Sequence, residues 1–204
     1  MLALGANPAP ADLPFQPEDQ VSLTRVDRHL IAVVGVGFAA VETDLELGEK
    51  VIALRSQGFV GVIATNHRLL GIHSRATSFA ELRYRIAEKP VDPGGIHVVD
   101  RLALVELHTR LVAFSPELGI WVEVGLGPGE HPTKIDAGGA IAAVVTPRRA
   151  IGFSSRSRGF VEEPLGPEED VESATLSDAS VTLVLPHKIL IFRAGDNRWS
   201  SLIR

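Results

Sequence analysis

The chain has 204 residues, a hydrophobic fraction of 45% and a formal charge of -5. That is enough to bury a sizeable core, and too acidic for a general attraction to nucleic acid or an anionic membrane. It contains seven histidines and no cysteine, which excludes disulfides and thiolate metal sites.

The first twenty residues lack the basic start and long apolar run of a secretion signal. No stretch approaches the ~18 uninterrupted apolar residues of a membrane span. A soluble cytoplasmic protein is therefore expected. The stretch from Leu2 to Asn7 is a short apolar segment, and residues 8–20, rich in Pro, Ala and acid, predict an exposed arm or loop.

Residues 21–45 form three apolar runs, parted by a basic turn at Arg28 and a glycine-rich turn before Phe38. The run from Ile31 to Ala40 carries Gly35 and Gly37 ahead of Glu42 and Asp44, the spacing of a dinucleotide-binding loop. That loop requires a strand, a turn and then a helix, so that a pyrophosphate meets the helix N-terminus. Here the glycines align with polar turns in later units, and the stretch predicts a hairpin instead.

The next unit opens on a short segment, 51–58, followed by three runs over 59–86 with Arg68 in the basic turn and Phe79 opening the third run. The same grammar follows in 96–126 (Arg110, Trp121), 133–165 (Arg149, Phe160) and 172–204 (Lys188, Trp199). The basic residues Arg28, Arg68, Arg110, Arg149 and Lys188 are spaced by 40, 42, 39 and 39. The aromatics Phe38, Phe79, Trp121, Phe160 and Trp199 are spaced by 41, 42, 39 and 39, and they take five of only eleven aromatic residues. Two columns in one step indicate an internal repeat. The runs are short, rich in Val, Ile and Thr, end at Gly, Ser, Asn or Pro, and several are apolar on both faces, which predicts strands buried on two sides.

Four strands in about 40 residues match one blade of a β-propeller. The units resemble propeller blades of the kelch-like or quinoprotein-like kind over nearly the whole chain. The paired glycines of the first class and the Trp-Asp dipeptide of the other common class are absent, so no functional residue is carried over. The expectation is an all-β, five-bladed propeller in a single domain, with approximate blades 1–45, 49–86, 95–126, 133–165 and 172–204. Residues 2–7 are the candidate for the first strand of the first blade.

In such a fold the first strand of each blade lines a central channel. That makes Arg55, Asp100, Arg101, Asp136 and Asp178 the channel candidates. They suit a small polar or charged ligand, and the three carboxylates also permit glycosidase-like acid and base work at suitable separations. The basic column shares a face with the acidic linkers that hold Glu46, Glu49, Glu88, Asp92, Glu130, Glu168, Glu169 and Asp170. Mutual, solvated pairing is expected there, worth little per pair. A ring of Arg28, Arg68, Arg110, Arg149 and Lys188 gripping an anionic partner is the weaker alternative. No cofactor or metal is expected, because no histidine spacing matches a ligand pattern and no Ser-His-Asp set or phosphate loop is present. The favoured reading is a non-catalytic binding or scaffold module for a protein or small polar ligand. A hydrolase using Asp100, Asp136 and Asp178 is the rival.

Overall fold

The computed structural model describes residues 20–35, 39–86 and 88–204. Among them the chain forms five antiparallel sheets, taken in chain order and each a simple meander. The first blade has three strands, β1 (Val21–Val26), β2 (His29–Val34) and β3 (Ala39–Asp44). The second has β4 (Val51–Gln57), β5 (Val60–Thr65), β6 (Arg68–His73) and β7 (Ala80–Arg83). The third has β8 (Ile96–Val99), β9 (Leu102–Leu107), β10 (Arg110–Ser115) and β11 (Ile120–Gly125). The fourth has β12 (Lys134–Gly138), β13 (Ile141–Val145), β14 (Arg149–Ser154) and β15 (Val161–Pro164). The fifth has β16 (Ser173–Leu176), β17 (Ser180–Val184), β18 (Lys188–Arg193) and β19 (Arg198–Ile203). The architecture is all-β and of the propeller type. The proposed strand at Leu2–Asn7 lies outside the described residues.

β2 and β3 pair as an antiparallel hairpin, with Gly35 at φ 59° after β2. Among the described residues a strand, β3, stands where the dinucleotide loop needs a helix.

Burial explains why the middle strands lack alternation. All six residues of β5, all six of β10 and all five of β13 are buried, because each of these strands has a neighbouring blade on both sides. The outermost strands β7 and β15 alternate half-buried and exposed residues, as a sheet margin with one wet side does.

Five apolar clusters fill the four interfaces between consecutive blades: two lie between the first and second blades, and one each at the second–third, third–fourth and fourth–fifth interfaces. At their centres sit Ile72, Phe114, Phe153 and Phe192, each fully buried and facing the preceding blade. Burying one such ring contributes roughly 1.5–3 kcal/mol. The repeated aromatic lies across the hairpin from it, with ring centroids 5.1–5.3 Å apart in Phe114–Trp121, Phe153–Phe160 and Phe192–Trp199. Trp121 and Trp199 also donate their indole N–H to Ala80 O and Val161 O of the preceding blade, both at 3.0 Å. These aromatics pack blades together.

A main-chain hydrogen bond recurs at each interface. Val21, Phe59, Arg101 and Ala140 donate their N–H to the carbonyls of Gly58, Asp100, Gly139 and Asp178 in the following blade, at 2.9–3.2 Å.

Strand register corrects both columns in the first blade. Arg68, Arg110, Arg149 and Lys188 each open a strand, opposite Arg83, Gly125, Pro164 and Ile203. The matching residue in the first blade is His29, opposite Asp44, and Arg28 lies one residue earlier, in the two-residue turn. The place of the repeated aromatic, opposite Val33, belongs to Ala40. Phe38 is outside the described residues.

Candidate functional site

The two ends of the blades have different chemistry. At one end lie the turns between second and third strands, together with the linkers between blades. Each linker makes a four-residue turn closed by a glutamate. The carboxylates of Glu49, Glu88, Glu130 and Glu169 accept the main-chain N–H of Glu46, Arg85, Gly127 and Gly166, at 2.7–2.9 Å. The same glutamates bind the basic column: Arg68–Glu49 at 2.9 Å, Arg110–Glu88 at 2.7 Å, Arg149–Glu130 at 2.8 Å and Lys188–Glu169 at 2.9 Å. A second glutamate on the outermost strand completes each arginine bracket, through Glu81, Glu123 and Glu162. Arg68, Arg110 and Arg149 then donate to the carbonyls of Asp44, Arg83 and Gly125 in the preceding blade.

The pairing expected from the sequence is present, but it is not solvated. The Arg110 and Glu88 side chains are each 3% exposed. Burial alone raises a carboxyl pKa, yet at Glu130 the Arg149 guanidinium, the Gly127 amide and the Thr146 hydroxyl outweigh it and hold the group at about 2. In the same way, burial opposes the charged forms of Glu49 and Glu88, while Arg68 and Arg110 bring both below the usual carboxylate range. Arg28 stands apart and donates to Leu45 O at 2.8 Å. Glu46, Glu49 and His67 lie close enough together to hold a cation. Arg83 and Arg68 already neutralise the two carboxylates, so the cluster serves the ion-pair network.

The other end is formed by the turns from first to second strand and from third to fourth strand. Here a cavity of about 580 Å³ is lined by Phe59, His73, Ser74, Arg75, Arg101, Pro116, Glu117 and Arg156. A second, of about 550 Å³, reaches Asp100, Gly139, Ser155 and Asp178 and shares Phe59, Arg101, Glu117 and Arg156 with the first. The shared group is a mixed recognition surface. The Arg101 guanidinium carbon lies 5.5 Å from the centre of the Phe59 ring, an arrangement that holds a cation in place while leaving its outward N–H groups free for a partner. Arg156 Nε donates to both Glu117 oxygens at 3.1 Å. At the margin His73 accepts the Arg75 main-chain N–H on Nδ1 at 3.2 Å. Burial, with Arg75 nearby, lowers its pKa, so the ring is neutral near pH 7 and carries its proton on Nε2.

The five channel candidates fall in two places. Arg55 and Asp136 line a cavity of about 470 Å³ bounded by β4, β8, β12 and Leu176 of β16, with His97 beside them. Asp136 is 3.6 Å from Lys134, and Arg55 reaches Leu54 O at 3.4 Å. Asp100, Arg101 and Asp178 sit at the mouth instead. Asp100 Oδ1 accepts from Gln57 at 3.3 Å. Its main chain presses on Gly58, where a Cβ would come within 2.9 Å of Asp100 Cα, and Asp178 presses likewise on Gly139. Asp100, Glu117 and Asp178 are all exposed. Phe59, His73, Arg75, Glu117 and Arg156 were not singled out by the sequence. Phe59, Arg75, Glu117 and Arg156 lie in turns that carry no repeated residue type and His73 ends β6, and only the fold brings them together.

No family model matches the chain, and no curated protein does so. Among solved structures it is similar to the N-terminal domain of Nup159, with a TM-score of 0.37 and 13% identity over 90% of this chain and 58% of that one. It is also similar to Citrobacter koseri AztD, at 0.41 and 12% over 90% and 58%, and to Kluyveromyces lactis Hsv2, at 0.40 and 11% over 90% and 72%. These are β-propeller proteins, and this chain spans little more than half the length of the first two. No helix among the described residues is long and apolar enough to cross a membrane.

Proposed function

We propose that the chain is a non-catalytic binding or scaffold module, which takes a protein or a small polar ligand at the mouth framed by Phe59, Arg101, Glu117 and Arg156. The observation that carries this reading is the sharing of those four side chains by two adjoining open cavities. An aromatic face, two guanidiniums and a carboxylate on rigid turns suit a flat, polar or acidic group better than an apolar one. The linker-end cations are already matched by glutamates, so they contribute to stability and leave recognition to the mouth.

The hydrolase reading is supported by Asp100, Glu117 and Asp178 lining one cavity. Against it, all three are water-exposed, and a catalytic acid needs a desolvated pocket to keep its proton at neutral pH. Asp136, the third carboxylate of that reading, belongs to the channel cavity.

A thermal-shift panel of sugars, nucleotides, organic anions and short acidic peptides tests the proposal. A specific ligand raises stability by about 2.7 kcal/mol at a hundred times its dissociation constant. A hit that disappears in Arg101→Ala supports the mouth. A hit untouched by Arg101→Ala and Arg156→Ala, or glycoside turnover lost in Asp178→Asn, contradicts it.

A further inference from the structure

Among the described residues, the two terminal blades each leave one face without a neighbouring blade. Val26 of the first blade is 52% exposed, whereas the residues in its place, Thr65, Leu107, Thr146 and Leu185, are at most 2% exposed. Val33 is half-buried, where Ile72, Phe114, Phe153 and Phe192 are fully buried. On the fifth blade Ile189 and Ile191 are half-buried and Leu202 is 56% exposed. Among the described residues, no hydrogen bond and no apolar cluster joins the fifth blade to the first.

These two faces are complementary in size by the rule that governs the four internal interfaces. Where the following blade presents Phe with Trp, the receiving residue is glycine: Gly71 meets Phe114, beside Trp121, and Gly152 meets Phe192, beside Trp199. Where it presents Phe153 with Phe160, or Ile72 with Phe79, the receiving residue is Ala113 or Ala32. The fifth blade offers Ile191 at this place, and the first blade offers only Val33 with Ala40. A large receiver stands opposite a small insert, which conserves volume at the contact. The donor of the main-chain bond is also poised. Ala179 N–H, on an exposed residue, holds the donor position of the blade interfaces, and the matching acceptor place in the first blade lies outside the described residues.

We propose that the fifth blade of one chain docks on the first blade of a second copy, head to tail. The contact is heterologous, so it closes into a ring or extends into a ladder according to the rotation between copies.

The full chain has no native cysteine, so two single variants, Val33→Cys and Ile191→Cys, report the contact directly when mixed with a short bis-maleimide. The account expects cross-linked dimer at least tenfold above that from either variant alone. It also expects the sedimentation coefficient of the unmodified chain to rise with concentration, and to stop rising in Ile191→Arg. A single-chain mass at every concentration overturns the proposal. So does a Val33→Cys/Ile191→Cys double variant that cross-links within one chain, because the first blade of the same molecule is then the occupant.

Discussion

Gly152 lies flat against the ring of Phe192, so close that a Cβ added to it would stand 2.7 Å from the ring carbons. The third-strand glycine of one blade is thus the seat for the central aromatic of the next. Gly152→Ala overpacks this contact and is expected to lower unfolding stability by about 1–3 kcal/mol in chemical denaturation. Gly71→Ala acts alike against Phe114. Gly125→Ala, at a position with open space, is the control and leaves stability intact.

Burial separates the ion pairs by energy. Glu88→Gln takes from the Arg110 guanidinium, only 3% exposed, the buried one of its two carboxylates and leaves Glu123, at an expected cost of about 1.5–3 kcal/mol. The Arg83–Glu46 pair is more than a third exposed on both sides, so breaking it with Arg83→Gln is expected to cost far less. Equal losses in the two variants would contradict this ordering.

The linker glutamates also set the acid limb of stability. Each has a folded pKa below its ordinary 4.5, so each stabilises the fold fully above pH 4.5 and loses that contribution as pH falls through its folded value. For Glu130 the window runs from 4.5 down to about 2, and the contribution is on the order of 2–3 kcal/mol. Glu130→Gln is expected to be less stable at pH 7 and to show a shallower loss between pH 4.5 and 2. An acid limb as steep as that of the native chain would exclude the assignment.

The repeat was legible because blade packing demands the same residue type at the same place. Arg68, Arg110, Arg149 and Lys188 recur since each must reach a linker glutamate, 19 residues earlier for Arg68 and Arg149 and 22 for Arg110. The alignment failed in the first blade, where Arg28 in the turn imitates a column whose true member is His29. A pattern of residue types does not register a one-residue offset, whereas strand pairing does. The burial of the pairs was hidden too, because acidic linkers and basic turns read alike whether wet or dry. The mouth was half-visible: Arg101 came from the short segments, but Arg156 and Glu117 stand in turns 39 residues apart that only adjacent blades bring into contact.

The most direct measurement is a calorimetric titration of the strongest ligand from the panel into the native chain and into Arg101→Ala and Arg156→Ala. Both arginines are exposed, so the variants keep the fold. Losing one charge-assisted hydrogen bond is worth about 1.5–3 kcal/mol, which predicts affinity weakened by about tenfold to a hundredfold in each variant. Unchanged affinity in both would place binding elsewhere and contradict the mouth as the recognition site.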